Sequence, residues 1–248
     1  MKISLLQNKN NTLMKNISYY NNSVVDGYYD IIFERKKGVQ SAWHHVKFNY
    51  IKSKITKTNI HLDIGCGPGT FLGILKKKSI GIDVAQNQIK YAKEKYANKK
   101  IKFLTYKNKL PIKSNSIESI SMIELIEHID NKDLKYLLRE CRRVLKKDGK
   151  IYLSTPNYLS LWPLLEFFLN MISPINYKHE HINKFNKKKL KKIMLKSGFQ
   201  IIELRSFILL SPFLAFFTFN FIKSTSFLDN FLTNFFPGFL LFCKLKKS

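Results

Sequence analysis

At 248 residues the chain is long enough to bury one sizeable core. Its formal charge of +26 invites nucleic acid or an anionic membrane, yet only five of the basic residues are Arg, the better tool for bidentate phosphate recognition, so a dedicated nucleic-acid role is disfavoured and the lysines read as solvated surface. Three cysteines, Cys66, Cys141 and Cys243, lack CxxC spacing, which excludes a structural zinc site of that type and fits a reduced intracellular compartment.

Met1–Asn22 is polar, and Met1–Ser18 has no apolar core of the kind a signal peptide needs. Tyr28–Ile60 predicts one or two helices, with Tyr28, Ile32, Phe33, Trp43, Phe48 and Ile51 as apolar positions. Ile60–Ile64 reads as a short buried strand, and His61–Phe71 (HLDIGCGPGTF) carries it into a glycine-rich turn. Gly65, Gly67 and Gly69 let the backbone turn sharply and lie close to a ligand. The spacing is GxGxG, unlike the dinucleotide GxGxxG. Thr70–Lys77 predicts a helix and Ser79–Val84 a second strand. Asp83 falls eighteen residues after Gly65, where an acid suits a ribose diol. A nucleoside-bearing ligand is implied.

Ala85–Ala97 predicts a helix, Ile101–Thr105 a third strand and Ile117–Ile123 a fourth. Asn131–Lys146 reads as a helix, Asp148–Gly149 as a turn and Lys150–Thr155 as a fifth strand. Alternation at this spacing predicts an α/β fold: a mostly parallel, Rossmann-like sheet with helices on both faces. Ligands in such sheets sit outside the carboxyl ends of the strands, where Gly65–Gly69, Asp83, Thr105 and Ile123–Glu124 all fall. After the fourth strand, a helical turn would place Glu124, Glu127 and His128 on one face at i, i+3, i+4. Two carboxylates and an imidazole can bind a divalent cation, with His179 or His181 as a further ligand.

Tyr158–Ile172 is strongly apolar and follows the fifth strand, on the substrate side. Lys187–Lys196 predicts a basic helix, Phe199–Phe207 a sixth strand and Phe239–Leu245 the last. Between these two, Ile208–Phe236 is rich in Phe and Leu. Its apolar stretch Phe207–Ile222 is shorter than the roughly twenty residues of a spanning helix and contains Pro212 and Asn220, so it predicts an apolar hairpin. Such a hairpin can cap an apolar pocket, lie on a membrane or form a dimer seam.

The glycine stretch resembles motif I of the class I S-adenosylmethionine (SAM) dependent methyltransferases, and Gly81–Ala85 (GIDVA) resembles motif II. The order continues through Leu110–Pro111, Ile117–Ile129, Leu145–Gly149, Ile151–Asn157 and Ser197–Phe199, over roughly residues 59–207. The resemblance implies seven strands, the last antiparallel. It implies SAM across Gly65, Cys66, Gly67 and Gly69, with Asp83 on the ribose and Asp63 orienting the loop or meeting the ammonium. The family often places an acid after the third strand for adenine. This chain has Thr105-Tyr106-Lys107, which leaves Val84, Tyr106 or backbone for that contact, with Ile123 at the cofactor edge. In similar enzymes an N-terminal helical segment covers the pocket; residues 1–58 would be that cap and 59–248 the SAM domain, with apolar insertions near 158–176 and 208–236. His44 or His45 could then reach the site, though packing of the lid is the plainer expectation.

The ExxEH pattern resembles the ubiquinone-pathway O-methyltransferases and the small-RNA 2′-O-methyltransferases. There it implies Mg2+ or another divalent cation near the acceptor oxygen, held by Glu124, Glu127, His128 and His181, with His128 and His181 as catalytic candidates. The expected function is O-methylation of an apolar or lipid-like acceptor, such as a quinone precursor, in the cytoplasm or at the membrane surface. RNA 2′-O-methylation and a non-catalytic, membrane-associated binding protein of the same fold are the alternatives. The oligomeric state stays open.

Overall fold

The computed structural model describes residues 24–55, 58–106, 109–172, 181–214, 219 and 222–247. Among the described residues two helices, α1 (Tyr28–Glu34) and α2 (Gly38–Lys54), precede the sheet. They are separate because Lys36, at φ +50°, interrupts the helical run. The chain then alternates through β1 (His61–Ile64), α3 (Thr70–Leu75), β2 (Ser79–Asp83), α4 (Gln86–Tyr96), β3 (Ile101–Thr105) and β4 (Ile117–Ile123). It continues with α5 (Asn131–Val144), β5 (Leu145–Pro156), α6 (Trp162–Ile172), α7 (Lys187–Lys196), β6 (Phe199–Phe207), α8 (Ser211–Leu214), α9 (Ile222–Leu232) and β7 (Leu240–Lys247).

The seven strands are ordered β3-β2-β1-β4-β5-β7-β6, and β7 runs antiparallel to both neighbours. This is the predicted Rossmann-like sheet. One face packs Leu134, Leu138, Cys141 and Val144 of α5 with Leu190 and Met194 of α7. The other packs Ala42, Val46 and Ile51 of α2 with Phe71, Leu72 and Ile89 of α3 and α4. Each fully buried aliphatic side chain contributes about 1.5–3 kcal/mol, so both layers are needed to hold the strand ends in place. Caps fix the helix starts. The Asp130 carboxylate accepts from the amides of Lys132 and Asp133 at 2.9 and 2.8 Å, and Asn186 Oδ1 accepts from the Lys189 amide at 2.8 Å.

Two boundaries differ from expectation for local reasons. Helix α3 ends at Leu75 because Lys76 turns left-handed, at φ +55°. The expected turn at Asp148–Gly149 lies inside β5. Ile117 pairs with Leu145 and Ser119 with Lys150, so Lys146–Gly149 bulge out of the ladder. A Cβ on Gly149 would stand 2.6 Å from the Leu145 side chain, which only glycine avoids.

Both apolar insertions leave the sheet at one edge. Leu240 of β7 pairs with Pro156 of β5 and with Phe207 of β6, so α6 and α8–α9 emerge at the row where the parallel strands end. Asp229 of α9, 4% exposed, accepts from the backbone amides of Leu209 and Leu210 at 3.0 and 2.7 Å, tying α9 to the start of α8. Among the described residues no helix is long and apolar enough to cross a membrane.

Candidate active site

The strand ends carry the predicted glycine turn. Gly65, Gly67 and Gly69 all have positive φ. A Cβ on Gly65 would strike Leu125 at 2.8 Å and one on Gly69 would strike Phe103 at 2.8 Å. A Cβ on Gly67 would meet nothing within 4 Å, so this backbone faces open space. Asp83, at the end of β2, braces the turn: its Oδ2 accepts from the Gly67 amide at 2.8 Å and its Oδ1 from the Ala85 amide at 2.9 Å. The Val84 amide bears on the same carboxylate, whose two oxygens offer about four acceptor sites between them, so capacity for a further donor remains. Burial pushes the Asp83 carboxyl up, against those bonds. Val84 follows, half-buried.

Beneath the turn, Asp63 is 2% exposed, and Ser121 Oγ donates to its Oδ1. Burial, with the charge of Asp83 adding to it, pushes Asp63 up to about 7. Cys66 is buried, and burial together with Asp83 and Asp63 pushes its thiol well up, which disarms it as a nucleophile. Tyr106 is half-buried and packs with the core beneath α5, where burial raises its phenol. Ile123 is half-buried at the end of β4, against the α2-side core.

The acidic turn after β4 is not the single helical face expected. Glu124 sits at φ +50°, outside the short 3-10 turn Ile126–His128, so it does not share a face with Glu127 and His128. It is turned toward α2 instead. There it ion-pairs with Lys47, whose side chain is 3% exposed, and accepts from Trp43 Nε1 at 3.5 Å. Among the described residues, the group able to hold a metal ion is therefore Glu127, His128 and His181, with ligand atoms within 4.8 Å of one another. His179 lies outside the described residues.

Glu127 is fully buried. Its Oε2 accepts from Thr155 Oγ1 at 2.9 Å, and its Oε1 has no partner. Burial, with Glu124 adding to it, pushes Glu127 up to about 7 despite His181 and Thr155. His128 is half-buried, with its ring centroid 5.1 Å from that of His181. His181 is 6% exposed, and its Nδ1 lies 2.5 Å from Glu166 Oε1 and 2.9 Å from Tyr158 Oη. Tyr158 Oη in turn donates to Glu166 at 2.8 Å. Burial works to lower His181, but the Glu166 hydrogen bond and the charge of Glu127 outweigh it and hold the imidazole above its usual value. Glu166 shifts the opposite way: burial raises it, and the bonds from His181 and Tyr158 bring it below its usual value. The two shifts agree on a charge-assisted pair.

Helix α2 and the insertions roof this end. Trp43 packs against Trp162 and Phe239 at centroid distances of 5.6 and 5.9 Å. His44 is buried and pushed well below its usual value by burial, and its Nδ1 lacks a partner. His45 stacks on Phe33 at 3.8 Å and bonds the Phe33 carbonyl at 2.9 Å. Both histidines pack between α1 and α2. Sequence reasoning missed Glu166, Tyr158 and Lys47. Glu166 did leave a signal, as the lone charge in the apolar run Tyr158–Ile172. Lys47 left none among so many lysines.

The family described as a methyltransferase domain matches residues 42–204. A probable S-adenosylmethionine-dependent methyltransferase of Mycobacterium tuberculosis is 23% identical over 167 residues, covering 65% of this chain and 57% of that protein. A ubiquinone biosynthesis O-methyltransferase of Coxiella burnetii is 29% identical over 120 residues, covering 45% and 50%. The chain thus spans about half the length of the curated relatives it matches. Among solved structures, the geranyl diphosphate C-methyltransferase of Streptomyces coelicolor superposes with a TM-score of 0.65 at 13% identity, over 96% of this chain and 99% of that one, a likeness of fold. Motif order, sheet order and a match over well more than half its length converge: this chain belongs to the methyltransferase domain family, in the class I SAM-dependent group.

Proposed function

We propose that this domain transfers the methyl group of SAM to a hydroxyl of an apolar, lipid-like small molecule, such as a quinone precursor, at the cytoplasmic membrane surface. The observation that carries the reading is the Glu127–His128–His181 cluster, two of its members buried and His128 half-buried, set beneath an apolar rim at the strand ends. The residues present fit SAM. Gly67 faces open space, and a Cβ there would intrude on it. Asp83 keeps acceptor capacity for a ribose diol, and Asp63 offers a negative charge for the ammonium. Val84 and Ile123 supply apolar edges; Tyr106, drawn into the α5 side, is the weaker adenine contact. SAM supplies an already activated methyl on a sulfonium.

The chain's share is alignment and proton handling. Holding acceptor and methyl in line is worth several kcal/mol, up to roughly ten. A hydroxyl acceptor must also lose a proton. His181, oriented by Glu166 and Tyr158, and His128 beside it are the groups placed to take it. The orphaned Glu127 Oε1 and the two imidazoles also fit a divalent cation, which would lower the acceptor's pKa. With Glu124 committed to Lys47, two nitrogens and one carboxylate suit Mn2+ or Zn2+ better than Mg2+. Residues 1–58 would act as the lid of a SAM domain over 59–248.

Labelled methyl transfer from SAM into host extract, with and without chelator, tests this. Label is expected in the lipid-soluble fraction and is lost in His181→Ala. Label in RNA would overturn the acceptor class.

A further inference from the structure

The predicted motif leaves one polar arrangement unexplained. His61 and Asp63 lie two apart on β1, so both face the same side of the strand. Opposite them on β4, in register, stand Ser119 and Ser121. All four are buried, with His61 and Ser121 at 0% exposed. His61 Nδ1 lies 2.7 Å from Ser119 Oγ and its Nε2 lies 2.8 Å from Ser121 Oγ, which bonds Asp63 Oδ1. Ser119 Oγ also bonds Thr58 Oγ1 at 3.0 Å. Thr58 and Ser119 line a cavity of about 450 Å³ at the opposite end of the sheet, with Glu118, Lys146, Lys150 and Tyr152.

This chain of bonds has two complete arrangements. With Asp63 ionised, the Ser119 hydroxyl donates to Nδ1, Nε2–H to Ser121, and the Ser121 hydroxyl to the carboxylate. With Asp63 protonated, every bond reverses: Asp63 donates to Ser121, Ser121 to Nε2, Nδ1–H to Ser119, and Ser119 to Thr58 or to water in the cavity. No polar atom of the chain is orphaned in either state. We propose that His61 and Ser121 form a two-state proton relay that sets the charge of Asp63 by tautomer exchange, with its proton leaving through the far end of the sheet.

The step balances. In one concerted move Asp63 gives its proton to Ser121 Oγ, Ser121 gives its own to Nε2, Nδ1 gives its proton to Ser119 Oγ, and Ser119 releases one to cavity water. One proton has crossed and His61 has stayed neutral. The surroundings suit this. Burial, with Lys77 adding to it, pushes His61 down to about 3, so an imidazolium is avoided. Asp83 and Cys66 face Asp63 from β2 and the glycine turn, and Asp83 favours its protonated form. A cationic ligand over the turn reverses that preference and covers the front of Asp63, leaving the rear route for the proton. His61 and Ser121 are thus positioning residues for the acid under the cofactor turn.

The link to SAM rests on the proposed function; the tautomer exchange does not. The test is 15N NMR of histidine-labelled full chain from pH 5.5 to 8.5, with and without SAM. His61 should stay neutral and pass from Nδ1–H to Nε2–H with a midpoint near 7, that of Asp63. Saturating SAM should lower that midpoint by at least one pH unit. Calorimetry at pH 7 in phosphate and in Tris should show proton release on SAM binding. Ser121→Ala should leave the fold intact and fix one tautomer across the range. A single tautomer in the unaltered chain, or an imidazolium forming near the ordinary histidine value, overturns the relay. Absence of SAM binding with the tautomer exchange intact would instead overturn the cofactor reading and leave the relay standing.

Discussion

Glu127 pits stability against use of the site. It is fully buried, one of its oxygens has no partner, and it is raised from 4.5 to about 7. A carboxyl raised in the folded state favours folding most below its unfolded value. That advantage is lost as pH climbs from about 4.5 to 7, because the unfolded chain ionises first. At 1.4 kcal/mol per pH unit, ionised Glu127 costs roughly 3–4 kcal/mol at pH 8. Glu127→Gln should therefore raise Tm at pH 8 in chelator by about 6–14 °C, with little gain at pH 4.5, while abolishing methyl transfer. An unchanged Tm difference between the two pH values would sink the assignment. Glu166 acts differently, through His181. Glu166→Gln keeps the shape but removes the charge, so the imidazole should titrate lower and kcat should fall about 10–100-fold with KM for SAM little changed. Equal loss of SAM affinity would show a general packing fault. A lone charge in an apolar run is a readable sign, but its partner fifteen residues on is not, because only the tertiary fold brings Glu166 and His181 together.

Beside the packing of Trp43, helix α2 bears on the site through an ion pair. Lys47, 3% exposed, meets Glu124, whose φ of +50° carries its carboxylate off the 3-10 turn. Sequence spacing put Glu124 with Glu127 and His128, because i, i+3, i+4 counting presumes helical backbone at every position. A single left-handed residue breaks it, and composition does not announce such a residue outside glycine and asparagine. The alternation of strands and helices, by contrast, was legible, because hydrophobic runs, the glycine turn and the helix stretches follow one another at regular spacing; the order of the strands in the sheet was not. The bulge at Lys146–Gly149 was not, since it depends on pairing with β4. Removing one partner of the ion pair leaves the other charge in a roofed site. Lys47→Met should destabilise by about 1–3 kcal/mol, less than a fully buried pair because Glu124 is 22% exposed. Adding Glu124→Gln should restore most of that loss. Chemical denaturation of the four-member cycle measures the coupling, and additive effects would mean the pair does not tie α2 to the turn after β4.

At the scale of the molecule, two apolar faces stand on one rim. Leu161, Leu164, Phe167, Phe168 and Met171 of the α6 segment are 54–69% exposed, while Trp162 and Glu166 point inward. Phe227, Phe231, Phe235 and Phe236, on and after α9, are 57–79% exposed. Both segments leave the sheet at the Pro156–Leu240–Phe207 row, beside the strand ends that carry the cluster. A helix apolar on both sides is ordinarily covered. Here a cationic fringe adjoins it: Lys184 is exposed and lies over the Tyr158 ring at 5.4 Å, and the lysines of α7 follow. Apolar side chains with a basic border suit an anionic bilayer surface, which would bring a lipid-like acceptor to the mouth of the site. Flotation with phosphatidylcholine vesicles, with and without phosphatidylglycerol, measures this. The chain should float with the anionic vesicles and be partly released by salt. Replacing Phe167, Phe168 and Met171 together with Ser should cut the bound fraction about tenfold or more while Tm holds, because the removed groups are exposed in the folded chain. If the same replacement instead turns a dimer into a monomer and leaves flotation unchanged, the rim is a seam between two copies, and the acceptor must reach the site from solution.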